Sequence, residues 1–143
     1  MTVTFCGHRQ IDDRDAVESW LTQCIQALID EGADCFYLGN YGAFDRMAAG
    51  TLASFKKKYP AIHIALALAY RAQAYDAHLY DEVIYPLFDN KPRKYNIILC
   101  NEWMVRQSDA IVAYVRYGWG GAAKTRDYAL HKNRRVIDFS YDS

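Results

Sequence analysis

The stretch Val3-Thr4-Phe5-Cys6-Gly7-His8-Arg9-Gln10-Ile11-Asp12-Asp13 decides how the chain is read. Its apolar run, residues 3–6, has the length and β-branched content of a buried strand, and it stops abruptly at a Gly-His-Arg corner. Asp12 and Asp13 then stand where a helix needs a side-chain oxygen for its first free N–H groups. Val17, Leu21, Cys24, Ile25, Leu28 and Ile29 follow at helical spacing. Strand, glycine corner and amphipathic helix form the opening unit of an alternating α/β fold.

The unit recurs. Gly32 stops the helix, residues 34–38 read as a second strand, and Gly39-Asn40-Tyr41-Gly42 turns into a helix with Phe44, Met47, Ala48, Leu52 and Phe55 on one face. Lys56-Lys57-Lys58 closes that helix, where cations offset the negative end of its dipole. Residues 62–69 make a central strand, and 70–93, polar and proline-bearing, is the least regular stretch. A helix over 94–107, a strand over 109–115, the corner Tyr117-Gly118-Trp119-Gly120-Gly121, a helix over 122–132 and a strand over 135–139 complete the chain. Strands alternating with helices imply right-handed crossovers. The expected fold is a Rossmann-like, doubly wound α/β domain, with a mostly parallel sheet of about five strands and helices on both faces, spanning residues 1–143 as one domain.

Composition narrows the partners. The chain has 143 residues, and its 17 Lys and Arg balance 17 Asp and Glu, so no global field draws it to an anionic polymer. On that ground nucleic acid is argued against as a partner. Apolar runs fall short of the roughly 18–20 residues of a membrane-spanning helix, and no signal peptide is read at the start. Cys6, Cys24, Cys35 and Cys100 are scattered through apolar stretches without a CxxC pair, the pattern of reduced core thiols in a cytoplasmic protein. No metal-ligand set and no cofactor motif is present, since both GxGxxG and the P-loop spacing are missing. Trp20 and Trp103 are candidates for a homodimer contact.

In an open parallel sheet the ligand crevice lies beyond the carboxyl ends of the strands, at the point where strand order reverses. Three glycine corners fall at such ends: Gly7, Gly39 with Gly42, and Gly118, Gly120 and Gly121. Free N–H groups at the following helix starts favour a phosphate or carboxylate. Arg9 can fork onto phosphate oxygens, or pair with Asp12 or Asp13. His8 can contact a ligand, move a proton, or staple its own loop. Asn40 belongs to the second corner. Asn101, on a face with Met104, Val105 and Ser108, is satisfied by loop backbone or by ligand. Tyr41 and Trp119 are candidate walls for a flat base.

These residues together resemble a family. Thr4-Phe5-Cys6-Gly7-His8-Arg9, the glycine loop and helix with Asp45 and Ala48-Ala49, then Asn101, Met104-Val105, Ser108-Asp109, and Gly120-Gly121 before Thr125 and Tyr128-Ala129, are similar in order to the SLOG superfamily. The branch they resemble most is the small YpsA-like proteins, which open with a similar strand and GHR turn. The resemblance implies a crevice for nucleotides or nucleotide-derived ligands such as ADP-ribose-type signals, held by a sensor or sequestering protein. Relatives of the LOG type imply an alternative, an enzyme acting at an N-glycosidic bond as a phosphoribohydrolase or nucleoside deoxyribosyltransferase. Its carboxylate would be Asp45 or Asp127. Laying Gly120-Gly121 on the LOG signature PGGxGTxxE puts Trp119 at the proline, Ala123-Lys124 at Gly-Thr and Asp127 at the glutamate. A related domain in the recombination mediator DprA adds single-stranded DNA binding as a second alternative.

Overall fold

The computed structural model describes residues 1–71, 73–86 and 92–141. Six strands, β1 (Thr2–Gly7), β2 (Cys35–Leu38), β3 (His63–Ala67), β4 (Glu82–Ile84), β5 (Ala110–Tyr114) and β6 (Arg135–Asp138), alternate with helices α1 (Arg14–Asp30), α2 (Ala43–Lys58), α3 (Arg93–Gln107) and α4 (Gly121–His131). Every strand pairing is parallel, and the order across the sheet is β4-β3-β2-β1-β5-β6. The chain therefore starts in the middle, builds outward through β2 to β4, and returns to β1's other side with β5. The reversal falls between β1 and β5, which fixes the mouth of the crevice there.

Alternation along β1 separates the two layers, because successive side chains leave a strand on opposite faces. Val3 and Phe5 join the core under α1 and α2 with Leu21, Ile25, Phe36, Phe44 and Leu52. Cys6 faces Val105, Ile111, Ala113 and Ala129 under α3 and α4. Thr4 lies on that second face, its hydroxyl donating to the Tyr37 carbonyl at 3.0 Å and reaching Met104 Sδ at 3.8 Å. Asp13 caps α1 as its position suggested, accepting from the Ala16 N–H at 3.3 Å. Trp20 is 3% exposed and packs against Phe44 and Phe139, so it belongs to the core and not to a dimer surface. Trp103 lies edge-on against Tyr37.

Six strands stand where about five were expected. The addition is β4, three residues inside the irregular stretch, preceded by a short 3-10 turn at Ala77–Leu79. Three residues carry no readable periodicity, and contacts far away in sequence hold them. Asp81 accepts from the Ile64 N–H at 2.8 Å and pairs with Lys56 at 3.0 Å, His63 meets Glu82 at 3.2 Å, and the Leu68 N–H donates to the Ile84 carbonyl at 2.8 Å. Lys56 also donates to the Ile62 carbonyl, so the first lysine of the run is a clip to β4 as well as a helix end. Residues 87–91 of the irregular stretch lie outside the described residues.

Candidate functional site

A crevice of about 340 Å³ opens at the carboxyl ends of β1, β2 and β5, within the range of small-ligand sites. Gly7, His8, Arg9, Gly39, Tyr41, Asp45, Asn101, Gly120 and Gly121 all line it, so segments distant in sequence converge as the topology requires. Asn40, Gly42, Gly118, Trp119 and Asp127 do not. Phe5, Cys6, Gln10, Ile97, Met104, Tyr117, Ala122 and Thr125 complete the lining without having been picked out as a set. Of these, Phe5, Cys6, Met104 and Thr125 stood in the motifs that carry the family resemblance and Tyr117 in the glycine corner.

The central corner is built by close approach. A Cβ on Gly7 would stand 2.3 Å from the Phe44 ring, and one on Gly42 would stand 2.4 Å from Arg9 Cα. Gly42 therefore lets the Arg9 loop lie against the start of α2, where the Ala43 N–H donates to the Arg9 carbonyl at 2.9 Å. The Tyr41 N–H is likewise engaged, by Asp45 Oδ2 at 2.9 Å. These two amides at the head of α2 thus serve the protein itself, and the Gly39–Gly42 corner is a packing device more than an anion cradle. Asn40 turns away from the crevice, its amide donating to the Ala74 carbonyl at 2.8 Å.

The start of α4 differs. Gly120 sits at φ +91°, a conformation that favours glycine, and no side chain caps the helix. Gly120, Gly121 and Ala122 border the crevice, so this helix start presents first-turn amides where an anion would sit. Arg9 is exposed and, among the described residues, forms no ion pair with Asp12 or Asp13. Arg126, by contrast, is committed to Asp138 through two bonds of 2.7 and 2.8 Å.

Of the three readings of His8, the loop staple describes its bonding. The residue is buried, and its Nε2 accepts from the Arg116 N–H at 2.8 Å, tying the β1 corner to the β5 corner. Burial, aided by nearby Arg116 and opposed by Asp12, pushes its pKa below the ordinary imidazole value, which suits a neutral acceptor. Its ring begins a stack. Tyr117 lies parallel to it at 3.9 Å between centroids, and Trp119 lies on Tyr117 at 4.2 Å. Trp119 is 70% exposed, so the stack runs from the protein interior to an open indole at the rim. Tyr41 lines the crevice, but its hydroxyl accepts from the Ala69 N–H at 3.0 Å, which ties it to the end of β3.

The two carboxylate candidates part company. Asp45 lies at the crevice floor, and burial pushes its pKa up to about 6 against the lowering effects of the Tyr41 N–H and Arg46. Asp127 is exposed beyond the first turn of α4 and borders a separate groove with Arg116, Gly118, Arg126 and Asp138. Cys6, also in the lining, is pushed up to about 12 by burial and next by the Asp45 charge, so its thiol stays protonated and is no nucleophile.

Sheet order and crevice define a Rossmann-like α/β domain with its cleft at the topological switch point. Neither a family model nor a curated protein sequence matches the chain. Among solved structures it is similar to DNA processing protein A from Helicobacter pylori, with a TM-score of 0.68 at 13% identity over 96% of this chain and 64% of that one. It is also similar to DNA processing protein A (DprA) from Streptococcus pneumoniae, with a TM-score of 0.67 at 16% identity over 96% of this chain and 49% of that one. The chain thus spans about half to two thirds of these neighbours, and the likeness is one of fold, a Rossmann-like α/β fold. The H. pylori protein is described for its unique single-stranded DNA binding mode. That finding corrects the expectation set against nucleic acid: a zero net charge is a sum over the whole surface and says nothing about one crevice. No helix is long and apolar enough to cross a membrane among the described residues.

Proposed function

We propose that the crevice captures one nucleotide unit of a single-stranded nucleic acid, the phosphate on the α4 amides and Arg9, the base on Trp119. The observation that carries this reading is the His8-Tyr117-Trp119 stack, anchored inside the protein and ending in an open indole beside the uncapped start of α4. Aromatic platforms next to a cationic, amide-rich cleft are how single strands are held without sequence preference. Single-stranded DNA binding by a protein of this fold adds weight to the strand over a free ADP-ribose-type signal. The Gly7-His8-Arg9 turn suits a YpsA-like branch of the SLOG group.

The test is binding of a fluorescent thymidine decamer, read by anisotropy. Trp119→Ala is expected to weaken binding about tenfold, the worth of one base–aromatic stack. Arg9→Ala is expected to weaken it and to lower the slope of log affinity against log salt by about one. Absence of decamer binding at low salt would refute the proposal. A second reading, a free nucleotide, is favoured by the bounded volume of the crevice. Competition by adenosine monophosphate or ADP-ribose at affinities above that of the decamer would select it.

A further inference from the structure

Asp45 supplies the only carboxylate among the described residues that line the crevice, and the proposed function gives it no task. Its place is costly in two ways. Burial disfavours the charged form, and a negative group in a cleft built for phosphate repels the ligand. A carboxylate at such a position is explained if the ligand brings it a hydrogen-bond donor.

The geometry says which donor. Asp45 and Gly39 lie on the β2 side of β1, and Gly120 and Gly121 lie on the β5 side. Helices α2 and α4 pack on opposite faces of the sheet, which keeps a phosphate on α4 apart from the acid while a sugar spans the gap. In a nucleotide, base and phosphate-bearing carbon leave the furanose on either side of the ring oxygen, and the hydroxyl-bearing carbons form the opposite edge. With phosphate and base both on the β5 side, at α4 and Trp119, the hydroxyl edge faces Asp45. Asp45 is also held ready, because its Oδ2 accepts the Tyr41 N–H at 2.9 Å. A carboxylate oxygen can take more than one donor. Gly39 keeps the approach open: a Cβ there would stand 3.3 Å from Asp45 Oδ2 and 3.0 Å from the Tyr41 ring.

We infer, building on the nucleotide-capture reading, that the crevice selects a nucleotide with a free hydroxyl on its sugar, and that Asp45 accepts that hydroxyl's hydrogen bond. The captured unit is then the 3′ terminus of a strand or a ribonucleotide, not the interior of a DNA strand. Groups facing Asp45 come from every neighbouring element: Cys6 on β1, Tyr41 before α2, Tyr80 before β4, Cys100 on α3, and Arg46 on its own helix. The thiols and phenols have their pKa raised, so Asp45 itself supplies the charge that titrates at the floor.

The experiment compares three decamers: thymidine with a normal 3′ end, thymidine ending in a dideoxynucleotide, and uridine. A dideoxy end that weakens binding about tenfold, the worth of a hydrogen bond to a charged group, identifies a strand terminus. Uridine bound about tenfold more tightly than either thymidine decamer identifies the ribose hydroxyl. In either case Asp45→Asn, checked for an unimpaired melting temperature, shrinks the preference to within twofold, and Gly39→Ala reduces it by narrowing the approach. The preference is full near pH 7.5 and shrinks as the pH falls through about 6, where the carboxylate takes up its proton. Equal affinity for all three decamers, or a preference unchanged in Asp45→Asn, overturns the inference and leaves nucleotide capture standing. Failure to bind any decamer defeats both.

Discussion

At the scale of single residues, the crevice is held open by atoms that are missing and by one charge in a costly place. Gly7 has no room for a Cβ beside Phe44, so Gly7→Ala must displace a ring at the centre of the core. Such overpacking costs about 1–3 kcal/mol, and chemical denaturation should report a loss of that size with little change in slope. Asp45 has the opposite signature. Its folded pKa of about 6 lies above its unfolded value, so the native chain binds the proton more tightly. Its own contribution to stability is therefore greatest at low pH and falls as the pH rises toward and through 6. Asp45→Asn, which can still accept from Tyr41, should be more stable than the parent near pH 7.5 by on the order of 2 kcal/mol, with the gap closing toward about pH 4. Equal melting temperatures at both pH values would show that the site does not strain the carboxylate. A residue that weakens the fold and stands in the cleft is what a stability–function trade-off looks like.

Elements were readable where local chemistry decides them. Asp13 capped α1, Gly32 at φ +110° ended it, and the apolar spacing of α2 matched its buried face of Phe44, Met47, Ala48 and Leu52. Strand β4 was not readable, because its stability lives in Asp81 and Lys56 rather than in its own three residues. Asp81 is partly desolvated, yet the Ile64 N–H and Lys56 hold its carboxyl below the usual range. Its contribution is thus present above the ordinary carboxylate pKa and lost as the pH falls below it. Asp81→Ala should cost about 1–2 kcal/mol and speed amide exchange at Ile64, and unchanged exchange there would deny it the clip. The site was legible as a set of corners but not in its side-chain directions. Asn40 and Tyr41 looked equivalent to residues facing a ligand until Ala74 and Ala69, far along the chain, claimed their polar atoms. Trp119 was identified, but its platform needed Tyr117 and His8 to stack beneath it, which no spacing rule announces.

For the whole molecule, the lesson concerns where charge is placed. Equal numbers of acids and bases hide a layout in which Arg135 pairs with Glu31 and the N-terminal amine with Asp34 near the amino ends of the strands. Arg9 and the α4 amides are gathered at the carboxyl ends. In the proposed capture, binding depends on the second group, and screening over about 8–10 Å at ordinary salt limits how far the rest is felt. The most direct measurement of the central claim is amide and indole NMR during titration of the chain with an unlabelled thymidine decamer. The account predicts shifts concentrated at Gly7, Gly120, Gly121, Ala122 and the Trp119 indole, with the separate groove between α1 and α2, lined by Glu18, Thr22, Gly50 and Ser54, silent. Shifts confined to that groove, or none at saturating decamer, would contradict it.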